Sequence, residues 1–141
     1  MTILFQADIP PERASDGAAG FDLCASEEMM IQPGQRRAIR TGVRAAIPPD
    51  HAGFVKPRSG FALNFGIDVL GGLIDSDYRG EIIVILVNHG DRNFHIDPGD
   101  RIAQLVVTPV VTQSLQVESL DDTQRGGDGF GSTGRSFAGR R

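Results

Sequence analysis

The sequence predicts a single all-β domain, a sandwich or a barrel, with one short helix. Hydrophobic residues almost never recur at helical spacing, and short apolar or alternating runs are instead separated by turn signals. The chain has 141 residues, which suits one domain and is enough to enclose a core. The predicted strands are FDLCA, RRAIRTGVRAAI, AGFVK, EIIVILVN, RIAQLVVTPVV and SLQVESL. The turn signals between them include IQPGQ, IPPD, HGDRN and DPGD.

Two of these elements have distinctive features. The run from Ile82 to Val87 is apolar without polar alternation, so this strand is predicted to be covered on both faces. A helix is predicted over Ser59 to Asn64, with Ser59 as its N-cap and Pro57 favouring extended backbone just before it. The sequence shows no repeat or second domain. We therefore divide it into a β-rich core, residues 1–122, and a C-terminal arm, residues 123–141, whose composition is typical of flexible termini.

Charge and cysteine content exclude several classes of function. The net charge is −4, from 14 basic and 18 acidic side chains, which argues against a nucleic-acid-binding surface. Arginines gather at positions 36–44 and in the arm, a distribution that suits a small polyanionic ligand. Cys24 is the only cysteine, and no signal peptide or membrane span is recognisable. We expect no membrane partner and a cytoplasmic protein, or a nuclear one if the source is eukaryotic or viral.

Two turn-like stretches suit a phosphate ligand and a flat ligand. In PRSGFAL (57–63), Arg58 and the backbone N–H groups of a helix start could bind phosphate oxygens, or Arg58 could be a plain surface charge. GGLIDSDYRGE (71–81) is either a polar hairpin with ion pairs or a bend whose glycines admit a flat ligand beside a water-orienting carboxylate. It contains the only tyrosine, Tyr78.

Three further stretches contain polar residues in unusual settings. Asp22 in AAGFDLCA (18–25) and Gln104 in GDRIAQL (99–105) interrupt apolar strands, so each needs hydrogen-bond partners from the backbone or from a ligand. Asp100 and Arg101 are expected to fix the preceding turn. RGGDGFGSTG (125–134) is either a disordered end with weak RNA affinity or a functional arm, and it lacks the features of a Walker loop. The three histidines show no metal-ligand spacing, and we assign them no role.

Read together and in this order, the five stretches resemble the five motifs of the trimeric dUTP diphosphatase (dUTPase) family. They are AGFDLCA, PRSGFA, GGLIDSDYRG, GDRIAQL and RGGDGFGSTG, and the resemblance spans residues 17–134. It implies a jelly-roll-like subunit of the β-clip type with a flexible C-terminal arm, assembled as a homotrimer. Each active site would take motifs one, two and four from one subunit, motif three from the next and motif five from the third. The arm would then close over nucleotide in a neighbour's site.

The resemblance also implies the reaction. dUTP and water would give dUMP and diphosphate by attack at the α-phosphorus, which limits uracil incorporation into DNA and supplies dUMP for thymidylate synthesis. Asp75 matches the carboxylate that activates the attacking water, and an ordinary aspartate is ionised at neutral pH. Mg²⁺ is the implied cofactor, bound to the triphosphate and held by Asp22 through water. The remaining work would be positioning and charge neutralisation.

Substrate-binding roles carry over to the matching positions. The expected contacts to the phosphates come from Arg58, Ser59, Gly60 and Gln104. The expected contacts to the γ-phosphate end come from Arg125, Gly131, Ser132 and Thr133. Phe130 would stack on uracil, and Tyr78 would pack against the sugar and exclude a 2′-hydroxyl. The hairpin backbone expected to recognise the uracil edge comprises Gly71, Gly72, Leu73 and Ile74.

The chain departs from the family pattern in a few places. Phe61 stands where leucine is usual, Asp128 adds a negative charge near the phosphates, and the hairpin lacks the asparagine of one branch. The nearest alternative, a dCTP deaminase, needs a glutamate in the strand after motif three, and Ile82 to Asn88 has no carboxylate. A non-catalytic trimeric nucleotide-binding module is the other alternative.

Overall fold

The computed structural model describes residues 1–136, which form ten β-strands and one seven-residue helix. The strands are β1 Leu4–Gln6, β2 Phe21–Cys24, β3 Met29–Ile31, β4 Arg36–Ala46, β5 His51–Lys56, β6 Ile67–Leu70, β7 Leu73–Ile74, β8 Glu81–Asn88, β9 Phe94–Ile96 and β10 Arg101–Pro109. The helix, α1, is Ser59–Phe65. Among residues 1–136, no helix has the length and apolar character needed to cross a bilayer. The all-β prediction with one short helix is confirmed.

Two four-stranded antiparallel sheets enclose the core. One has the order β1-β4-β8-β6, the other β2-β10-β5-β7, and β3 pairs with β9 in a small third sheet. In β4, Ile39, Thr41, Val43 and Ala45 are buried while the residues between them are exposed, as expected for a strand with one face on the core. The largest fully buried apolar side chains are Leu23, Ile31, Ile39, Ile67, Ile82, Leu86, Ile96, Ile102 and Leu105.

Two sequence-based predictions about strands need correction. One face of β8 is fully buried at Ile82, Val84 and Leu86, whereas on the other face Ile83 is 36% exposed and only Val87, at 8%, is buried. The predicted cover on both faces therefore holds only toward the Val87 end of the strand. The segment SLQVESL forms no strand, although its polar and apolar residues alternate. Among residues 1–136 no strand pairs with it, so its backbone has no ladder partner, and Leu115 and Leu120 are more than four-fifths exposed.

Two of the β4 arginines, Arg40 and Arg44, line one pocket together with Glu81. A bulge interrupts the register with β8 between Arg40 and Arg44. Glu81 fills this bulge, accepting a 2.7 Å hydrogen bond from the Gly42 N–H and pairing with Arg40 Nε at 3.1 Å. Partial burial would raise the pKa of Glu81, but the hydrogen bonds from Gly42 and Arg40 outweigh it and hold the pKa below its usual value.

Helix α1 is confirmed one residue longer than predicted and ends at Gly66, whose φ of 69° is left-handed. The predicted N-cap is wrong: Arg58 occupies that position with extended backbone, and Ser59 is the first helical residue. Phe61, the departure from leucine, packs edge-to-face on Phe94 with ring centroids 5.0 Å apart. The substitution therefore joins α1 to the small β3–β9 sheet.

Candidate active site

The middle of the sheet β2-β10-β5 brings three of the predicted motifs into one row. Gln104 on β10 lies opposite Asp22 on β2 and opposite Lys56 on β5. Because side chains at paired positions of adjacent strands point to the same face, the three polar residues share one face of the sheet. Motifs one and four, far apart in the sequence, are therefore neighbours in the sheet. Motif two begins directly after β5 and so lies beside them.

Gln104 is held in place by its two flanking strands. Its Nε2 donates to the Pro57 carbonyl at 3.2 Å. The amide is therefore hydrogen-bonded to the first residue of motif two. On the other side lies Gly20, where a built Cβ would come within 2.8 Å of Gln104 Oε1. Only glycine leaves this space for the amide. Gly20 is a position whose importance the motif comparison did not single out.

Arg58 connects motif two with the start of β10. Its Nη1 donates to the Arg101 carbonyl at 3.1 Å, and its guanidinium lies 5.2 Å from the centre of the Phe61 ring. The side chain is half-buried and oriented rather than free in solvent. The Ser59 hydroxyl has no hydrogen-bond partner among residues 1–136 and is therefore available to a ligand.

Asp22 faces an open cleft of about 680 Å³. The cleft is lined by Asp22, Cys24 and Arg101 on one side and by the N-terminal residues 7–14 on another, whereas Arg58 and Gln104 are not part of its wall. Asp22 is only 20% exposed and pairs with Arg101, whose Nε lies 3.6 Å from Oδ2. Burial raises the pKa of the Cys24 thiol, with Arg101 opposing the rise and Asp22 adding to it.

This ion pair modifies the prediction for the motif-four turn. Asp100 does fix the turn, since its Oδ2 accepts the Asp97 N–H at 2.8 Å. Arg101 instead points to Asp22. No signal in the sequence points to this contact, because Asp22 lies 79 positions before Arg101.

Motif three forms a tight hairpin on the edge of the same sheet. Gly71 and Gly72 connect β6 to β7 with φ angles of 64° and 93°. The Gly72 carbonyl accepts the Val55 N–H at 2.8 Å, and a Cβ at Gly72 would lie 2.9 Å from the Val55 carbonyl oxygen. Leu73 is 60% exposed, so the hairpin presents backbone and one apolar side chain to solvent.

The candidate residues of motif three make no hydrogen bond or ion pair to the polar row among residues 1–136. Asp75 is exposed, and no hydrogen bond or ion pair in residues 1–136 links it to Asp22, Arg58 or Gln104. The Tyr78 hydroxyl donates to the Glu81 carbonyl at 2.8 Å, and its ring lies against Gly80. The residue remains 42% exposed. The contacts among residues 1–136 therefore do not connect Asp75 or Tyr78 to the polar row.

The deaminase comparison also needs one correction. Strand β8 begins at Glu81, as the predicted strand EIIVILVN does, so it contains a carboxylate that the comparison over Ile82 to Asn88 left out. That carboxylate is bound to Gly42 and Arg40 in the β4 bulge, and it is not presented to the row of Asp22 and Gln104. A structural role accounts for it.

Motif five is an exposed series of tight turns. Backbone hydrogen bonds from Asp128 to Arg125, Ser132 to Gly129 and Gly134 to Gly131 define the turns. Phe130 is fully exposed with a φ of 51°, unusual for a residue other than glycine. Arg125 Nε donates to the Asp128 carbonyl at 2.7 Å. The end of the predicted arm, residues 137–141, lies outside the described residues.

Comparison with known proteins settles the family. A family model described as dUTPase matches residues 6–134. The chain belongs to the dUTPase family. A deoxyuridine 5′-triphosphate nucleotidohydrolase from Anaeromyxobacter sp. is 53% identical over 128 residues, covering 89% of this chain and 87% of that protein. One from Paramecium bursaria Chlorella virus 1 is 47% identical over 132 residues, covering 93% and 94%.

The fold comparison agrees. The Staphylococcus bacteriophage 80alpha dUTPase, solved with dUPNHPP, superposes with a TM-score of 0.89 at 27% identity and covers 95% of this chain and 99% of that one. The jelly-roll-like dUTPase fold expected from the motifs is confirmed. The family match, over residues 6–134, contains the whole range 17–134 that the five motifs span.

Proposed function

We propose that this chain hydrolyses dUTP to dUMP and diphosphate by attack of water at the α-phosphorus. The observation that supports this most is the polar row of a dUTPase-family fold, which brings Asp22, Gln104 and the start of motif two together on one face of one sheet. Such a row offers hydrogen-bond donors and a carboxylate to a polyphosphate and a cation. The alternatives, a dCTP deaminase or a non-catalytic nucleotide-binding module, become outcomes of the substrate test below.

In this proposal the phosphates bind where motifs two and four meet. Arg58 supplies a planar guanidinium that is already oriented by Phe61 and the Arg101 carbonyl. The unengaged Ser59 hydroxyl, the Gly60 backbone and the Gln104 amide complete the contacts. A Cβ at Gly60 would meet nothing within 4 Å, so there is open space beside this backbone.

Mg²⁺ fits the carboxylate of Asp22. This carboxylate is partly exposed at the cleft, and no hydrogen bond among residues 1–136 occupies its oxygens, although Arg101, 3.6 Å away, would have to share it with the hydrated ion. A hard cation that keeps most of its waters needs only one such protein ligand. When bound, Mg²⁺ would neutralise charge on the triphosphate.

Motif three supplies the water-activating carboxylate and the selectivity. Asp75 would accept a proton from the attacking water. The backbone of Gly71, Gly72, Leu73 and Ile74 would bind the uracil edge, and the close approach of Gly72 to Val55 fixes the position of that backbone. The half-exposed ring of Tyr78, anchored through its hydroxyl, would pack against deoxyribose.

We further propose a homotrimer in which each site is shared, because Asp75 and the polar row are not joined within one chain. The core, residues 1–122, would form the trimer, and the arm, residues 123–141, would cover a neighbour's site. There Phe130 would stack on uracil, and Arg125, Gly131, Ser132 and Thr133 would hold the γ-phosphate. The exposed apolar side chains of Val111, Leu115 and Leu120 suggest that the segment before the arm is covered by another subunit.

The proposal is tested by hydrolysis of dUTP, dCTP, dTTP and UTP, each with Mg²⁺ and with products identified. Turnover of dUTP alone, giving dUMP and diphosphate, is the expected result. Release of ammonia from dCTP would establish deamination instead, and dUTP binding without turnover would establish a binding module. Asp75→Asn should bind dUTP and lose turnover, whereas Asp77→Asn, a neighbouring exposed carboxylate in the same hairpin, is the matched control.

Sharing of sites is tested by mixing two inactive variants. One carries Asp75→Asn, and the other ends at Asp122 and lacks the arm. After joint unfolding and refolding in equal amounts, about one quarter of the sites in random trimers combine an intact Asp75 with an intact arm. Recovery of activity near that fraction is expected. A mixture as inactive as its components would show that sites are not shared between subunits.

A further inference from the structure

The small sheet β3–β9 carries a group of ligand-type side chains far from the motifs. Inward-facing Ile31, Phe94 and Ile96 are buried against the core. On the outward face the register places Met30 opposite His95, and one step further along the strands it brings Glu28 opposite Asp97. Donor atoms of Glu28, His95 and Asp97 all lie within 4.8 Å of one another.

We propose that Glu28 and His95 bind a divalent first-row transition-metal ion and that Asp97 orients the imidazole. Imidazole nitrogen together with carboxylate oxygen favours ions such as Zn²⁺ or Ni²⁺ over Mg²⁺. This site is distinct from the one proposed at Asp22, because its residues come from another sheet and from none of the five motifs.

The distances match the coordination of a metal ion. His95 Nε2 lies 2.9 Å from Glu28 Oε1. Two adjacent ligands at right angles, each about 2.1 Å from a metal ion, are about 3.0 Å apart. The two atoms could therefore hold an ion with little movement of either side chain, and water would complete the coordination because all three residues are exposed.

The second ring nitrogen of His95, Nδ1, has a carboxylate neighbour, as is usual for metal-binding histidines. Nδ1 of His95 lies 3.6 Å from Asp97 Oδ1. A ligating histidine usually donates its second N–H to a carboxylate, which fixes the ring and makes the ligating nitrogen more basic. A small rotation of Asp97 would complete this hydrogen bond, so one carboxylate serves each ring nitrogen.

The charges around His95 favour a cation. Within residues 1–136, neither Glu28 nor Asp97 has a lysine or arginine within 4.0 Å. The two ring nitrogens of His95 face the carboxylates of Glu28 and Asp97, whose negative charge a bound divalent ion would neutralise.

Metal binding here would stabilise the approach to the proposed phosphate site. Asp97 begins the turn that ends at Asp100, and this turn is bonded to Ala25 by Gly99 N–H to Ala25 O at 2.8 Å and Ala25 N–H to Asp100 O at 2.9 Å. The turn leads directly into β10, which carries Gln104. An ion joining Glu28 to His95 would connect the start of β3 with this turn.

The test is a titration of the full chain with Ni²⁺ in excess Mg²⁺, followed by the NMR signals of the three histidine rings. Paramagnetic Ni²⁺ should selectively broaden the His95 signals, assigned by their absence in His95→Gln, before those of His51 and His89. It should also raise the melting temperature of the wild type, since an ion that binds the native state stabilises it. His89→Gln, which removes another exposed histidine, is the control and should respond as wild type does.

The variants give a graded expectation. His95→Gln and Glu28→Gln should abolish the rise in melting temperature, and Asp97→Asn should weaken binding about tenfold or more through loss of ring orientation. The broadening should persist in Asp22→Asn, which separates this site from the proposed Mg²⁺ site. Equal broadening of all three histidines, or a rise in melting temperature that survives in His95→Gln, would overturn the proposal. Because all three substitutions are at exposed positions, the fold should be retained, as circular dichroism would verify.

Discussion

Replacing Gly20 by alanine should disturb the site by displacing Gln104, although Gly20 itself is not proposed to contact the ligand. The new Cβ would meet three atoms of Gln104, with Oε1 at 2.8 Å, Cβ at 3.0 Å and Cγ at 3.3 Å. Gln104 would have to rotate away, which also breaks its hydrogen bond to the Pro57 carbonyl. The shift is needed because β2 and β10 are fixed on each other by their ladder.

The magnitude follows from these contacts. Introducing a methyl group into a filled space costs about 1–3 kcal/mol, and the lost hydrogen bond contributes about 1 kcal/mol. Because the Gln104 side chain is only half-buried and can move its amide outward, we expect the lower part of that range, about 1–2 kcal/mol in the free energy of unfolding. The KM for dUTP should rise about tenfold, corresponding to 1.4 kcal/mol, because the amide leaves the proposed phosphate site.

The assay is urea unfolding at fixed protein concentration together with steady-state kinetics. Gly17→Ala is the matched control, since its Cβ would meet nothing within 4 Å, and it should behave as wild type. Combining Gly20→Ala with Gln104→Ala removes two of the three contacting atoms, so the cost of the alanine at position 20 should fall in that background. If Gly20→Ala matched Gly17→Ala in both stability and KM, the inferred contact with Gln104 would be refuted.

Three further outcomes are expected. Gly72→Ala should destabilise the protein more than Gly71→Ala, by about 1 kcal/mol or more in urea unfolding. Both substitutions introduce strain at a positive φ, but only an alanine at position 72 also clashes with the Val55 carbonyl. Equal losses of stability would contradict this. Asn88→Ala should cost about 3 kcal/mol or more, since this fully buried amide bonds to Ile31, Arg92 and Gly90, whereas exposed Asn93→Ala should be neutral. The pKa of Glu81 is depressed in the folded state, so its contribution to stability is complete above the unfolded value near 4.5 and is lost as pH falls through the folded pKa. Glu81→Gln should therefore reduce the loss of melting temperature on the acid side. An unchanged dependence of melting temperature on pH would argue against this role of Glu81.

The sequence was most informative where the local pattern and the tertiary structure agree. Alternation in Arg36–Ala46 predicted β4, and glycine pairs predicted the hairpin at Gly71. The three-residue strands β1, β3 and β9 were missed, because so short a run shows no measurable alternation and depends on pairing with a distant strand. SLQVESL shows the converse: alternation favours a strand, but a strand also needs a partner.

The motifs identified the residue types of the site, but their contacts required the fold. That Gln104 lies between Asp22 and Lys56 follows from the strand order, which non-local pairing decides. Arg101 looked like a turn residue because its partner is 79 positions earlier in the sequence. Similarly, the assignment of no role to the histidines rested on sequence spacing, and the register of β3 with β9 brings His95 to Glu28 from 67 positions away.

The strand order also bears on how the chain folds. Strand β2 lies at one edge of its sheet and has β10 as its neighbour, so it stays without a partner until the last strand is available. A growing chain therefore carries the Asp22 strand as an open edge through most of its synthesis, and such edges invite pairing with other chains. Variants that slow the docking of β10 should lower the soluble yield in cells more than they lower the equilibrium stability of the purified protein.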